Sequence, residues 1–232
     1  ELGKRGVGDF AWALIAAEHC GTSFPSDAAN TPESLLQSIA EAELESGGFA
    51  LTGNTADADT TAIVLRALAP YRESCSELVE RTLNALSELQ QESGAFASLG
   101  TETAESTAQV VLALSALGIA PDSDERFVKN GVTCIDALYG FATSDGFAHI
   151  RGGETDALAT AQALSALRAY ELPQQNDDSV PASAGAVPSL SSAATDNDSG
   201  TTQTVLLVAA AVAVVAGAAV FLRVRFAKQY QK

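Results

Sequence analysis

The sequence is poor in the residues that bind metals and nucleic acids. Its 232 residues include no methionine, one tryptophan, two histidines and three cysteines, which leaves little material for a metal centre. Only 13 residues are Lys or Arg against 29 Asp or Glu, so the formal net charge is −16. Without a basic face to neutralise phosphates, a dedicated nucleic-acid-binding protein is excluded. Hydrophobic residues make up 47% of the chain and charged residues 18%, which excludes an acidic disordered protein.

Long uncharged apolar stretches are also scarce, with one exception near the C-terminus. Residues 205–222 read VLLVAAAVAVVAGAAVFL, and as a helix they would span about 27 Å, close to the thickness of a bilayer core. A buried core helix is the alternative, but such a helix would show a polar stripe, which this run lacks. The sequence therefore predicts one membrane-spanning helix over residues 204–222.

Basic residues flank only one end of this predicted span. Four of them lie in the tail, residues 223–232, whereas no Lys or Arg occurs between residues 169 and 222. The positive-inside rule then predicts a single-pass cell-membrane protein with the tail in the cytoplasm and residues 1–203 outside the cell. The opposite orientation, that of a tail-anchored protein, would require the basic tail to be translocated.

Residues 173–203 form a zone of different composition. Pro, Ser, Ala, Gly, Asp and Asn dominate it and no aromatic residue occurs, so it cannot bury enough apolar surface to offset its chain entropy. We expect a disordered stalk between the membrane and the N-terminal region, residues 1–172. Because residue 1 is Glu, we also expect a fragment or a processed chain, truncated at its N-terminus, with any signal peptide outside the sequence.

The N-terminal region contains an internal repeat. A glycine-containing turn that ends in phenylalanine is followed by an alanine-rich segment with a Thr-Ala step. A period of about 50 residues with one such motif per unit is typical of helical repeat arrays. The phenylalanines are Phe49, Phe96 and Phe147, and the threonines are Thr61, Thr107 and Thr160.

The apolar pattern of each repeat predicts two helices and no strand, so the sequence favours an all-α fold. The first helix is the more charged. Its apolar residues follow helical spacing after Thr31-Pro32, within 77–90 and within 127–139, where Gly131 interrupts the pattern. The second is the Thr-Ala helix, which is apolar on most faces, so we expect these helices to be parallel, innermost and enclosed by the charged ones. They begin near Asp57, Glu105 and Asp156.

The aromatic residues of the region are expected to lie in the core. The repeated phenylalanines should pack between inner and outer helices, and the alternative is that they line the mouth of a pocket. Trp12 lies on what we interpret as a partly preserved helix of an earlier unit, and core packing is expected for it as well.

The repeated elements resemble those of a known superfamily. Gln91-x-x-Gly94-x-Phe96 and Thr-Ala-Gln-x-x-x-Ala-Leu are similar to repeats of the terpenoid-cyclase and protein-prenyltransferase α/α-toroids, with Phe where the cyclases usually carry Trp. The stretch from Asp9 to Tyr170 resembles the bacterial surface branch, whose members are known only as prenyltransferase/squalene-oxidase repeat proteins. The resemblance implies an α/α-toroid of helical hairpins over residues 1–172, and a partial one, because the region holds fewer helices than a complete ring. Either the missing hairpins lie upstream of Glu1 or the array is open.

The same resemblance draws attention to two acidic residues. The segment from Asp57 to Ala62, DADTTA, is similar to the Asp-x-Asp-Asp-Thr-Ala motif of cyclases that protonate a double bond or an epoxide, which would make Asp59 the catalytic acid. Thr60 replaces the last Asp, which helps to hold that acid in its reactive state, so the motif is eroded. From the residues alone, we interpret Asp57 and Asp59 as caps of a helix N-terminus. Acidic residues also precede the other Thr-Ala helices, and a cap is required at every helix.

Metal and cofactor chemistry find little support in the residues. Protein prenyltransferases hold zinc with Asp, Cys and His, but Cys134 and Asp136 have the wrong order, and His19 and His149 belong to different repeats. We interpret His149 as a surface or turn residue. Some relatives in the surface branch carry a cobalamin-binding-like module, yet no specific residue supports a cobalamin-like ligand, so neither a metal nor a cofactor is predicted.

The three cysteines, Cys20, Cys75 and Cys134, leave two alternatives open. One disulfide plus a free thiol and three buried free thiols are both compatible with the sequence.

Two functions remain in competition. The stalk, the anchor and the eroded acid motif favour a non-catalytic extracellular module that binds a small molecule or a protein. The alternative is a terpene-cyclase-like enzyme that acts on isoprenoids with Asp59 as general acid, although the acidic helix starts disfavour a diphosphate substrate. An enclosed, aromatic-lined pocket with Asp59 pointing inward would support the enzyme. Asp59 in solvent, or as a cap of its own helix, would support the module.

Overall fold

Seven α-helices in two rows build the part of the chain that the computed structural model describes, residues 2–21, 24 and 28–172. Consecutive inner helices pack side by side, and α1, α3 and α5 each pack against the outer helix that follows. The predicted helical-hairpin repeats are thereby confirmed. The inner row is α1 (Val7–Cys20), α3 (Ala58–Leu68), α5 (Ala104–Ala116) and α7 (Ala157–Glu171). The outer row is α2 (Pro32–Glu41), α4 (Ser76–Glu88) and α6 (Cys134–Tyr139).

The Thr-Ala helices run parallel in the inner row, as predicted. Asp59 in the first turn of α3 contacts Ser106 in the first turn of α5, which requires these two helices to run in the same direction. Gln109 and Gln162 stand at equivalent positions of α5 and α7, and Gln109 Nε2 donates to Gln162 Oε1 over 3.0 Å. Neighbouring repeats are therefore aligned residue by residue.

A recurring pair of groups explains why the repeat carries both phenylalanine and threonine. Thr61 Oγ1 accepts a hydrogen bond from the Phe49 N–H at 3.0 Å and donates to the Phe49 carbonyl at 3.2 Å. We call this contact the Thr–Phe lock, and it holds the turn against the start of its inner helix. The bond from the phenylalanine N–H recurs between Phe96 and Thr107 at 3.1 Å and between Phe147 and Thr160 at 2.8 Å.

The core lies between the two rows of helices. Phe49 and Phe96 are fully enclosed and Phe147 is 6% exposed, so the expectation that these side chains are core residues is confirmed. Close packing also explains the glycine before Phe147, because a Cβ at Gly146 would collide with the side chain of Thr160.

Two short antiparallel strand pairs were not expected from the sequence. They link a phenylalanine turn to the inner helix that follows, and each strand has two residues, which is too short to show an alternating apolar pattern. The pairs are β1 (Ala97–Ser98) with β2 (Thr101–Glu102) and β3 (Phe147–Ala148) with β4 (Thr155–Asp156).

The third outer helix is shorter than the pattern over 127–139 predicts. Asn130 and Gly131 both have positive φ, 53° and 79°, a conformation that a right-handed helix does not contain. Helix α6 starts after them, where Thr133 and Asp136 form a capping box. The beginning of the predicted helix is instead the 3₁₀ turn Glu125–Phe127.

The predicted stalk, membrane span and cytoplasmic tail, residues 173–203, 204–222 and 223–232, lie outside the described residues. Within the described part of the chain, no helix has the length and hydropathy required to cross a membrane.

Candidate functional site

Each inner helix has one line of residues on the side that faces away from the outer row, and together these lines form what we call the inner face. On α5 the line consists of the partly exposed Glu105, Gln109 and Leu112, directly opposite the fully buried Thr107 and Leu114. A spacing of three or four residues keeps such a line on one side of a helix. The concave side of a repeat array is where ligands commonly bind. The equivalent positions are Asp59, Ile63 and Arg66 on α3 and Leu158, Gln162 and Ser165 on α7.

Asp57 is the N-cap of α3, in agreement with the prediction. Its Oδ1 accepts the Thr60 N–H at 2.8 Å, and its Oδ2 accepts the Thr60 hydroxyl and the Leu51 N–H, both at 2.9 Å. The backbone of Asp57 is extended, as is usual for an N-cap residue. With three donors around it, this carboxylate fixes the preceding loop to the start of the helix. Thr103 and Asp156 cap α5 and α7 in the same way.

Asp59 lies in the first turn of α3, where a negative charge matches the helix dipole as expected, but the N-cap residue of this helix is Asp57. Its side chain lies on the inner face, is only 5% exposed, and accepts the Ser106 hydroxyl through Oδ2 at 3.2 Å. Ser106 Oγ in turn accepts the Thr103 hydroxyl at 2.9 Å. Asp57 therefore stabilises its own repeat, whereas Asp59 joins α3 to α5.

The position of Asp59 is acidic in two of the three repeats. Glu105 occupies it on α5, but Leu158 occupies it on α7, so Asp156 is the counterpart of the cap Asp57. Glu105 also binds the next repeat, since its carboxylate oxygens lie 3.0 and 2.9 Å from Nδ1 of His149. The side chain of His149 is 58% exposed, as expected of a turn residue.

Arg66 and Trp12 meet two helical turns away from Asp59. The guanidinium carbon of Arg66 lies 6.0 Å from the centroid of the Trp12 ring, a distance at which a cation is attracted to the face of an indole. Trp12 is half-buried and not part of the core, so the expectation of core packing is wrong. The buried residues of α1 are Val7, Ala11 and Leu14, and Trp12 lies beside this line rather than on it.

The electrostatic setting of Arg66 differs from that of the paired arginines. Burial lowers the pKa of Arg66, although a guanidinium stays protonated in proteins. Within the described residues no carboxylate forms an ion pair with Arg66, whereas Arg5 pairs with Asp9 and Arg81 with Glu43. Sequence analysis missed Arg66. The available signal was its spacing of seven residues from Asp59, which places both on one side of a helix.

The residues that suggested zinc do not fit a zinc site. The thiol of Cys134 is buried and hydrogen-bonded by Gln90 Nε2 at 3.5 Å, and burial raises its pKa to about 12. A zinc ligand must be a thiolate. Asp136 instead accepts the Thr133 hydroxyl at 2.7 Å. Across residues 2–21, 24 and 28–172, no group of three or more His, Cys, Asp or Glu residues could hold a metal ion.

All three cysteines lie among the described residues, and none is bonded to another. Cys20 is exposed, Cys75 is half-buried and Cys134 is buried. The structure therefore has three free thiols and no disulfide, but the expectation that all three are buried is wrong, because only Cys134 is.

Comparison with known proteins agrees with this geometry. The family described as "prenyltransferase alpha-alpha toroid domain" matches residues 9–186, well over half of the chain and nearly the whole of the two rows of helices. No curated protein matches the sequence. On the strength of the family match and the alternation of inner and outer helices, the chain belongs to the prenyltransferase alpha-alpha toroid domain family.

Proposed function

We propose that this toroid domain is a binding module without catalytic activity, anchored in the cell membrane and displayed outside the cell, where it binds a small molecule or a protein partner. The observation that carries the proposal is the hydrogen bond that occupies Asp59, whose Oδ2 accepts the hydroxyl of Ser106 from the neighbouring repeat. Asp59 would be the proton donor of a cyclase, and it lies enclosed between two inner helices.

A proton-initiated cyclase needs an acid that reaches the double bond or epoxide of the substrate. Asp59 has little exposed surface, and its Oδ2 is occupied by the hydroxyl of Ser106. Thr60, which replaces the supporting carboxylate of the cyclase motif, gives its hydroxyl to Asp57 rather than to Asp59. The acid is therefore engaged in a contact between repeats, and the residue beside it belongs to the helix cap.

The composition of the inner face also supports binding rather than cyclisation. Cyclases guide cationic intermediates, and aromatic faces stabilise cations. The inner-face positions of α3, α5 and α7 carry apolar, amide, hydroxyl and charged side chains and no aromatic residue. The aromatic ring that α1 adds beside them, Trp12, lies against the cation of Arg66. A surface of apolar side chains with a few polar groups is typical of sites that bind small molecules.

The membrane anchor and the orientation rest on the sequence. The apolar run 205–222 and the basic tail 223–232 support a single-pass protein with a cytoplasmic C-terminus. The net charge of −16 disfavours nucleic acid as a partner. Protease added to intact cells should remove residues 1–203 and spare the tail, and protection of the toroid domain would contradict the proposed orientation.

A terpene-cyclase-like enzyme with Asp59 as general acid is the second candidate. One observation favours it: Asp59, which matches the acid of the cyclase motif, is buried at an inner-face position of α3 rather than exposed to solvent. In this alternative Ser106 would have to move aside for a substrate, because its hydroxyl now occupies Oδ2.

The two functions are separated by assaying the full-length protein and its Asp59→Asn variant with a panel of polyprenyl substrates, followed by product analysis. Asn retains hydrogen-bonding groups but cannot donate the proton, and Asp145→Asn, at an exposed turn residue, is the matched control. We expect no cyclised product from any of the three proteins. Product from the wild type and from Asp145→Asn, but not from Asp59→Asn, would establish the enzyme. Native mass spectrometry of the purified protein then tests for a retained ligand.

A further inference from the structure

We propose that Arg66 and Trp12 form an anion-binding site on the inner face, and that the ligand of the toroid domain carries a single carboxylate on an apolar body. The inference rests on the binding role proposed above and names its ligand class. Three features carry it. Arg66 has no carboxylate partner among the described residues, its guanidinium contacts the Trp12 ring, and the charges around the two residues are negative.

Arg66 lacks the protein acceptors that the other arginines with described contacts have. Within the described residues, the guanidinium contacts the ring of Trp12 but forms no hydrogen bond or ion pair. The N–H groups of this half-buried guanidinium are therefore available to a ligand. The chain has 29 acidic residues, yet none of those described pairs with it. The paired arginines are Arg5, Arg81, Arg126 and Arg151, and Arg72 donates to the Leu117 carbonyl.

Trp12 gives Arg66 a defined position. A guanidinium that lies against an indole ring keeps its capacity to form hydrogen bonds, because its N–H donors point outward in the plane of the group. Two parallel N–H groups match the two oxygens of a carboxylate. The Arg66 side chain is half-buried, and this burial lowers the pKa of its guanidinium. An anionic ligand would restore favourable interactions to the charge.

The surrounding charges favour a singly charged ligand. Asp59 and Glu105 lie on the same face, and Asp59 is seven residues from Arg66, about 10 Å along the helix axis. One guanidinium balances one carboxylate, whereas a phosphate or diphosphate would bring additional negative charge toward these two acids. The site therefore selects against the more highly charged anions.

The apolar part of the ligand would lie on neighbouring inner-face positions. Ile63 stands one turn before Arg66 on α3, and Leu112 stands at the position of α5 that is equivalent to Arg66. Together with the Trp12 ring they offer apolar surface next to the charge. A straight-chain fatty acid of medium length has this combination of groups.

Trp12 makes the site directly observable, since it is the only tryptophan of the chain. The full-length protein in lipid nanodiscs is titrated with sodium octanoate while its tryptophan fluorescence is recorded, and octyl phosphate and 1-octanol are titrated in parallel. We expect a saturable change with octanoate, and at least ten-fold weaker binding of the other two. For 1-octanol, the loss of the charge-assisted hydrogen-bonded pair has an effect of this size. Octyl phosphate keeps charged oxygens for this pair, and its weaker binding is expected from the repulsion of its additional charge by Asp59 and Glu105.

Arg66→Gln should weaken octanoate binding about ten-fold or more. The matched control is Arg168→Gln, which removes the same charge from an exposed position of α7 and should leave the affinity unchanged. Circular dichroism checks that each variant is folded. If Arg66→Gln does not fold, Arg66→Lys keeps the charge but not the paired N–H groups, and it should also bind octanoate more weakly than the wild type.

Three results would overturn the inference. These are no saturable change with octanoate, equal octanoate binding by the wild type and the Arg66 variant, and octyl phosphate binding as tightly as octanoate. They are distinct from failure of the proposed function, which would appear as cyclised product in the polyprenyl assay. A protein that forms no product and does not bind octanoate contradicts the ligand class alone.

Discussion

Ser106 donates its hydroxyl to Asp59 over 3.2 Å, and this bond joins the first turns of two neighbouring inner helices. Both side chains are buried. A hydrogen bond to a carboxylate that has lost most of its water contributes more than a bond between neutral groups. The contact therefore couples the first repeat to the second through two side chains that are 47 residues apart.

Ser106→Ala should lower the free energy of unfolding by about 1–3 kcal/mol, because the buried carboxylate of Asp59 loses one of its donors. In a double-mutant cycle with Asp59→Ala, the two effects should be coupled by about 1 kcal/mol or more. Urea denaturation measures all four proteins. Ser165→Ala on α7, whose hydroxyl is exposed and bonds only within its own helix, should change stability by less than about 0.5 kcal/mol. Additive effects of the Ser106 and Asp59 variants would show that the bond contributes nothing.

Asp57→Ala should cost about 1–2 kcal/mol of stability, because the N–H groups of Thr60 and Leu51 lose their acceptor. Asp57→Asn should cost less, since Asn is a good N-cap residue. Thermal and urea unfolding give the comparison, with Asp145→Ala at an exposed turn as the control. A loss for Asn as large as that for Ala would contradict a capping role.

Thr107→Val should destabilise the domain by about 1–3 kcal/mol, because Val has the same shape but leaves the buried N–H of Phe96 without an acceptor. Thr101→Val, at an exposed strand position, is the isosteric control and should have an effect close to zero. Chemical denaturation measures both variants. Equal stabilities would mean that the hydroxyl of the Thr–Phe lock is dispensable.

Cys134 should make the stability of the domain depend on alkaline pH. Burial raises the pKa of its thiol from 9.0 to about 12, so the folded protein holds this proton more tightly than the unfolded chain does. The resulting stabilisation is complete below about pH 9 and is lost as the pH rises toward 12.

Between pH 9 and 10.5 the wild type should therefore lose more stability than Cys134→Ala, by about 1 kcal/mol per pH unit. Urea denaturation at several pH values gives both slopes. The variant Cys20→Ala, at an exposed residue, should keep the slope of the wild type. Parallel slopes for the wild type and Cys134→Ala would contradict the raised pKa.

Local sequence patterns were sufficient to predict the repeats and the order of the helices. A phenylalanine and a threonine recur in each unit because they hydrogen-bond to each other, as Phe49 and Thr61 do. The sequence motif therefore corresponds to a contact within the repeat. Asp57 was predicted as a cap because the interaction spans three residues. Contacts of this kind are visible in a single sequence, since both partners lie within one repeat.

The candidate site was less predictable, because its contacts join different repeats. The choice of Ser106 as a partner of Asp59, and of Trp12 as the neighbour of Arg66, depends on the register between inner helices. The shortened α6 has a local cause, the positive φ of Asn130 and Gly131. The sequence showed an interruption at Gly131, but not that the helix begins only after it.

Each Thr–Phe lock closes within its own repeat, so the array can open one unit at a time rather than as a whole. In such quasi-one-dimensional proteins, each unit opens with a free energy set by its own contacts and by those to its neighbours. The bond between Phe147 and Thr160 is only partly buried, whereas that between Phe49 and Thr61 is buried. The amide proton of Phe147 should therefore exchange with solvent before that of Phe49, and fraying should begin at the third repeat.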